Sequence, residues 1–285
     1  MRLTLRTMTQ APLLPLQQSA RYAAALRLMG RAVTEIETEG PPVLMIRRRL
    51  GPLPLAYLPR ADFSGGRAAV LSALPRGTVR LVIPETGGHP GLAGFPILTP
   101  QHVAEIELPA RPVHDQLMAR MHGKWRNRLR RALEGPLTVR QSHLDPAAHD
   151  PLLAHERAQR RIRGYRSYPA AFLEAYAAAN PHHSCLLEAR REGETLAYML
   201  FLLHGPVATY TIGWTGPEGR RLHAHTLLLW TAMCSLFAKG ITRLDLGTVD
   251  TEGGADLARF KIGAGARVRQ LGPTLLVPPG FRVSP

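Results

Sequence analysis

Three groups of residues in this 285-residue chain have types and spacings suited to chemistry. The first centres on Lys261. Of 36 basic side chains, only Lys124, Lys239 and Lys261 are lysine and the rest are arginine. Where arginine is the default cation, the lysine in Arg259-Phe260-Lys261-Ile262-Gly263 marks a place for a compact ammonium in place of a planar fork. Asp245-Leu246-Gly247, at the end of a predicted strand, precedes it across a short acidic, glycine-containing loop. The second group is the stretch 120–131, which carries six cations and no acid. Arg120, Lys124, Arg128 and Arg131 recur at steps of four, four and three, which gathers them on one side of a helix. The third is Arg220 and Arg221, beside the start of an apolar helix whose unpaired N–H groups and dipole favour an anion.

Several other chemistries are missing. There is no Gly-x-Ser-x-Gly elbow, no Walker loop and no His-Glu-x-x-His, which removes serine hydrolases, P-loop enzymes and zinc proteases. His182-His183 and His223-x-His225 lack a third ligand spaced to complete a site, so no metal is expected. Cys185 and Cys234 sit in apolar surroundings without a Cys-x-x-Cys pairing, which argues against a disulfide framework and against a thiol nucleophile. A reaction whose nucleophile belongs to the substrate, and whose enzyme supplies position and oxyanion stabilisation, fits what remains.

The elements that must position these groups follow from the apolar pattern. At 45% apolar residues the chain buries a large core, in one large or two smaller domains. Its net charge of +15 favours anionic partners, and the excess is uneven: residues 1–142 carry 20 basic against 9 acidic side chains. The longest nearly uncharged run, 226–238, is too short to span a bilayer, and prolines and glutamines interrupt the N-terminus, so a cytoplasmic protein without a transmembrane segment is expected. Helices are predicted over 20–38, 66–74, 114–135, 152–163, 170–179 and 224–238. Strands are predicted over 43–46, 55–58, 79–84, 103–108 and 242–246, with an antiparallel meander over 184–189, 196–203 and 207–213. The stretches 87–100 and 215–222 read as loops.

Several of these stretches together resemble the FemAB-like branch of the GNAT acyltransferase superfamily. Ala56-Tyr57-Leu58-Pro59-Arg60 is similar to its tyrosine, proline and arginine run. Val103-Ala104-Glu105-Ile106-Glu107-Leu108 and Lys124-Trp125-Arg126-Asn127-Arg128-Leu129-Arg130-Arg131-Ala132 resemble its strand and basic helix. Thr209-Tyr210-Thr211-Ile212-Gly213-Trp214 and Asp245-Leu246-Gly247 match its core strands, and Phe260-Lys261 its phenylalanine–lysine pair. The motifs are individually loose, but they follow one another in the family's order over most of the chain.

The resemblance implies an α/β (α+β) fold of two tandem GNAT-like subdomains, 1–112 and 113–285, each a mixed, mostly antiparallel sheet flanked by helices. It implies transfer of an acyl group from an activated donor, acyl-CoA or aminoacyl-tRNA, to the amine of a small or amino-acid-like acceptor. No permanently bound cofactor is implied. Lys261 would stabilise the oxyanion, with Tyr210 or Asp245 taking the amine proton or orienting the acceptor. Lys124, Arg128, Arg131, Arg220 and Arg221 would bind donor phosphates, and Tyr57, Arg60, Trp214 and Phe260 would line the substrate pocket. The chain departs from the family in having no inserted coiled-coil arm, and in the histidines of Arg220-Arg221-Leu222-His223-Ala224-His225, where a pyrophosphate loop has glycines. A GNAT-like pair that only binds RNA or a protein is the alternative from outside enzymology. The lack of an aromatic stacking platform weighs against dedicated single-strand binding.

Overall fold

The computed structural model describes residues 11–87, 94–109, 113–165 and 167–279. Ser19 caps α1 (Ala20–Leu28), its hydroxyl accepting the Tyr22 N–H at 3.1 Å. The helix predicted over 20–38 stops there. Gly30 takes φ +69°, and Val33, Thr34 and Ile36 are drawn into β1 (Ala32–Ile36), antiparallel to β2 (Val43–Leu50). A turn through Gly51 leads into β3 (Leu53–Ala61), and α2 (Arg67–Ala73) crosses to β4 (Val79–Pro84), which lies parallel to β3.

The predicted loop 87–100 lies partly outside the described residues, and its last part forms β5 (Phe95–Leu98), followed by β6 (His102–Glu107). The helix predicted over 114–135 is two helices, α3 (Val113–Arg120) and α4 (Gly123–Leu133). At the break His122 is extended, and its N–H donates to the Gly263 carbonyl at 3.0 Å. The Arg126 guanidinium takes up the carbonyls of Met118 and Met121 left free at the end of α3, at 3.2 and 2.7 Å.

β7 (Thr138–Ser142), α5 (Asp150–Arg163) and α6 (Ala170–Ala179) lead into the predicted meander, β8 (Ser184–Arg191), β9 (Glu194–His204) and β10 (Val207–Thr215). The predicted loop 215–222 holds a short helix, α7 (Pro217–Arg221), ahead of α8 (Ala224–Phe237). β11 (Arg243–Val249), α9 (Ala255–Gly263), β12 (Arg267–Gln270) and β13 (Thr274–Val277) complete the described fold.

Two sheets result, in the orders β1-β2-β3-β4-β13-β5 and β12-β6-β11-β10-β9-β8-β7. Each is antiparallel apart from one parallel pair, β3 with β4 and β10 with β11, and each such pair is joined through a helix. This is the tandem, mixed and mostly antiparallel architecture that the sequence implies. Strands pass both ways across position 112: β6 lies in the second sheet and β13 in the first. The second sheet is covered on both faces, which is why β9 reads as an unbroken apolar run. Met199 and Phe201 pack with Trp125, Leu228 and Met233 of α4 and α8, while Leu200 and Leu202 face Phe172 and Tyr176 of α6. The first sheet packs Met45, Leu58 and Val82 against Val70 and Leu71 of α2.

Candidate active site

The two parallel strands at the centre of the second sheet do not stay together. β10 and β11 are in register at Val207 with Arg243, Ala208 with Leu244 and Thr209 with Asp245, and beyond that they part. Both have irregular pairing with their other neighbours at this point, between Tyr210 and Ile212 in β10 and between Asp245 and Thr248 in β11. Gly247 takes φ +76° at the second irregularity, a conformation that costs a side-chain-bearing residue about 1 kcal/mol or more. Between the diverging strands opens a cleft of about 1360 Å³. Its lining includes Tyr57 and Arg60 from the first sheet and Tyr210, Asp245, Phe260 and Lys261 from the second unit.

Lys261, on α9, is 4% exposed, and its ammonium donates to the Thr248 carbonyl at 2.7 Å. The turn at Gly247 sets that carbonyl, because no Cβ intervenes within 4 Å of the Lys261 nitrogen. Burial pushes the Lys261 pKa down to about 8, while the charge of Asp245 works in the opposite direction. Asp245 is fully buried. Its Oδ2 accepts from Arg60 and its Oδ1 accepts the Gly247 N–H at 2.8 Å. Burial opposes its ionisation, but Arg60, the Gly247 N–H and Arg243 outweigh burial and hold the carboxyl below its usual range.

Arg60 anchors a buried ion cluster across the two sheets. It sits at an irregularity in the pairing of β3 with β4, with φ +48°, and donates to Glu85 at 2.8 and 3.0 Å as well as to Asp245. Arg269 of β12 bridges Glu85 at 2.6 Å and Glu105 of β6 at 2.9 Å. With Lys261, three cations face three carboxylates, so the charge beneath the cleft is balanced.

At the other end the cleft is basic. Arg128 of α4 and Arg220 of α7 line it beside His223 and His225 at the start of α8. His223 caps α8 in the left-handed conformation, φ +55°. Burial lowers its pKa, and the nearby Arg128 and Arg131 lower it further. His225 accepts or donates at the Trp214 carbonyl, 3.0 Å away. Among the described residues no group of His, Cys, Asp and Glu is arranged to hold a metal ion.

A family model described as an acetyltransferase (GNAT) domain matches residues 119–261. The chain belongs to the GNAT acetyltransferase family. It is an acyltransferase, and its fold is that of the family's FemAB-like branch. The structure of FemX is 14% identical with a TM-score of 0.72, over 90% of this chain and 91% of that one. A C-terminal domain assigned to a lysylphosphatidylglycerol synthetase of Agrobacterium fabrum is 17% identical with a TM-score of 0.60, over 93% and 89%. L-PGS from Bacillus licheniformis is 11% identical with a TM-score of 0.55, over 92% of each chain. No curated protein matches the chain significantly.

Within this GNAT fold the sequence-derived residues fall into two sets. Lys261, Tyr210, Asp245, Tyr57, Arg60, Phe260, Arg128 and Arg220 come together along the cleft. Lys124 is exposed on α4 and Arg131 lies outside the lining, near enough to His223 to act on its charge. Arg221 is exposed and paired with Glu218, and Trp214 turns away to stack on His155 at 4.4 Å. The sequence reading did not pick out Glu85, Glu105 or Arg269 as site residues. Their signal was charge inside otherwise apolar strand sequence, as in Val103-Ala104-Glu105-Ile106.

Proposed function

We propose that the protein is an N-acyltransferase that moves an acyl group from acyl-CoA to the amine of a small or amino-acid-like acceptor by direct attack. The observation that carries this reading is the cleft between β10 and β11, with a buried ammonium at one end and two arginines with a helix start at the other. A thioester laid along it puts its phosphates at Arg128, Arg220 and the free N–H groups of α8, and its carbonyl toward Lys261. The neutral amine attacks that carbonyl, the C–S bond breaks, and the departing thiolate takes the proton the nitrogen must lose. Lys261 stabilises the oxyanion. Asp245 has both oxygens engaged, which suits holding Arg60 and Lys261 in place better than accepting a proton. Tyr210 is half-buried at the cleft wall, where burial first of all keeps its phenol protonated and able to donate. The reaction is assigned to the cytoplasm, where acyl-CoA is found.

Aminoacyl-tRNA is the second donor to be considered. The exposed Lys124, Arg128, Arg130 and Arg131 of α4 have no carboxylate within 4 Å among the described residues, a surface suited to a polyanion larger than CoA. Thermal-shift titration with acetyl-CoA, longer acyl-CoAs and charged or uncharged tRNA separates the readings. Stabilisation by acyl-CoA alone supports the first, and by charged tRNA alone the second. Stabilisation by RNA regardless of charging contradicts both and leaves a binding module.

A further inference from the structure

Across the cleft from Lys261, the connection between α5 and α6 buries a carboxylate that the mechanism above does not use. Glu156 is 3% exposed. The buried carboxylates among the described residues are Glu85, Glu156, Glu188 and Asp245, and Glu156 alone has no cation within 4 Å. Its Oε1 accepts from the Tyr165 hydroxyl at 3.1 Å and from the Ser167 hydroxyl at 3.0 Å. Arg160 donates to Ser167 Oγ at 2.8 Å and to the Tyr168 carbonyl at 3.4 Å, and forms no ion pair with the carboxylate. Gln159 donates to the Tyr165 oxygen at 3.1 Å and to the Gly213 carbonyl at 3.4 Å, tying the group to β10.

Two further facts mark this cluster as part of a site. Gln159, Tyr165, Ser167 and Tyr210 all line the cleft, so the hydroxyls that solvate Glu156 also face the open space. The Tyr198 hydroxyl is fully buried without a hydrogen-bond partner, close enough to Glu156, Tyr165 and Tyr210 to feel their charges. A buried carboxylate held only by neutral donors, with an orphaned hydroxyl beside it, is an arrangement that folding alone disfavours and that a bound cation relieves.

We infer that the cup formed by Gln159, Tyr165, Ser167 and Tyr210 over Glu156 binds the acceptor as an ammonium ion, so that the acceptor class is a primary amine that arrives protonated. The inference rests on the N-acyltransferase reading and names the acceptor end of the same cleft. An ammonium carries three N–H donors and needs acceptors around it. The Tyr165, Ser167 and Tyr210 oxygens supply them, and Glu156 supplies the counter-charge through the first two. Because Glu156 acts through those hydroxyls, it is a positioning residue, and neutral alcohols of the same shape gain nothing from it.

The test uses 1,4-diaminobutane as the ammonium probe and 1,4-butanediol as its neutral counterpart, at matched ionic strength, with the full chain and its Glu156→Gln variant. The substitution keeps the side-chain shape and removes the charge. The diamine is expected to raise the melting temperature of the wild type, with at least a tenfold weaker apparent affinity for Glu156→Gln, and the diol to raise neither. CoA, titrated alongside, is expected to stabilise both proteins equally, which also shows that the variant is folded. Equal diamine shifts in the two proteins, or no diamine shift in the wild type while CoA still binds, overturn the acceptor inference. Failure of CoA to stabilise either protein counts against the donor reading and leaves the diamine comparison to be judged by itself.

Discussion

Arg60 is the residue whose loss should be felt in both sheets at once. In Arg60→Met the side chain remains roughly as long and apolar, but Glu85 and Glu105 retain only Arg269, and Asp245 retains only the Gly247 N–H as a close donor. Removing one partner from a buried ion pair costs about 3–5 kcal/mol, because the remaining charge is left in a poor solvent. At about 2.1 cal/mol/K of unfolding entropy per residue, a 285-residue chain has about 0.6 kcal/mol/K, so a loss of about 4 kcal/mol lowers the melting temperature by about 6–7 °C. Differential scanning calorimetry at neutral pH measures this directly. Adding Asp245→Asn to Arg60→Met removes the orphaned charge and should recover part of the loss, giving a coupling of at least about 1 kcal/mol in a double-mutant cycle. A fall below about 2 °C for Arg60→Met, or strictly additive losses in the cycle, refutes the idea that this cluster joins the sheets.

Other expectations follow from the same geometry. Since burial brings Lys261 to about pKa 8, its ammonium is lost as pH rises through that value, so the transfer rate should fall on the alkaline side and Lys261→Arg should move that fall upward; an unmoved limb assigns it to another group. His204 is buried with Nε2 against Thr209 Oγ1 at 2.8 Å, and burial lowers its pKa to about 3. The folded state therefore resists protonation that the unfolded chain accepts below about pH 6.5, and stability should decline from there toward pH 3 by on the order of 4 kcal/mol. His204→Gln should flatten that decline in urea titrations, and an unchanged slope contradicts the assignment. Gly213→Ala places a Cβ 2.9 Å from the Tyr198 carbonyl and against the Tyr210 hydroxyl, so melting should drop and the rate should fall as Tyr210 shifts; wild-type kinetics show instead that Tyr210 is dispensable. Arg128→Ala with Arg220→Ala should raise the KM for acyl-CoA by at least about tenfold, at roughly 1.5–3 kcal/mol for each lost charge-assisted contact, and leave stability nearly unchanged; an unaltered KM places the donor elsewhere.

Much of the second unit was legible because its elements are locally consistent. The strand starts at Ser184 and Val207 and the helix start at Ala224 lie where the apolar runs put them, since those runs are buried on both sides and bounded by glycine or proline turns. What the sequence did not reveal depends on contacts between distant segments. Tyr22, Leu26, Met29, Val33 and Ile36 keep a helical spacing, yet pairing with β2 captures the last two as strand. Leu117, Met121, Trp125 and Leu129 run unbroken through a helix break that exists because Gly263 accepts the His122 N–H. Phe95 to Leu98 is a strand only because β13 comes back to pair with it. In the site, Lys261 was legible from its rarity, and Arg60 and Asp245 from motif. That those two touch, and that Glu85, Glu105 and Arg269 complete the cluster, depends on how the two sheets meet and leaves no local signal.

The central claim is that this cleft transfers an acyl group with Lys261 stabilising the charge on the carbonyl oxygen. Its most direct test is the rate of thiol release from acetyl-CoA in the presence of primary amines, wild type against Lys261→Ala, with CoA binding to both proteins established first. A lost oxyanion donor is worth about 3 kcal/mol, so the account expects amine-dependent turnover by the wild type and a fall of about a hundredfold in kcat with CoA affinity preserved. Turnover that is equal in the two proteins contradicts it.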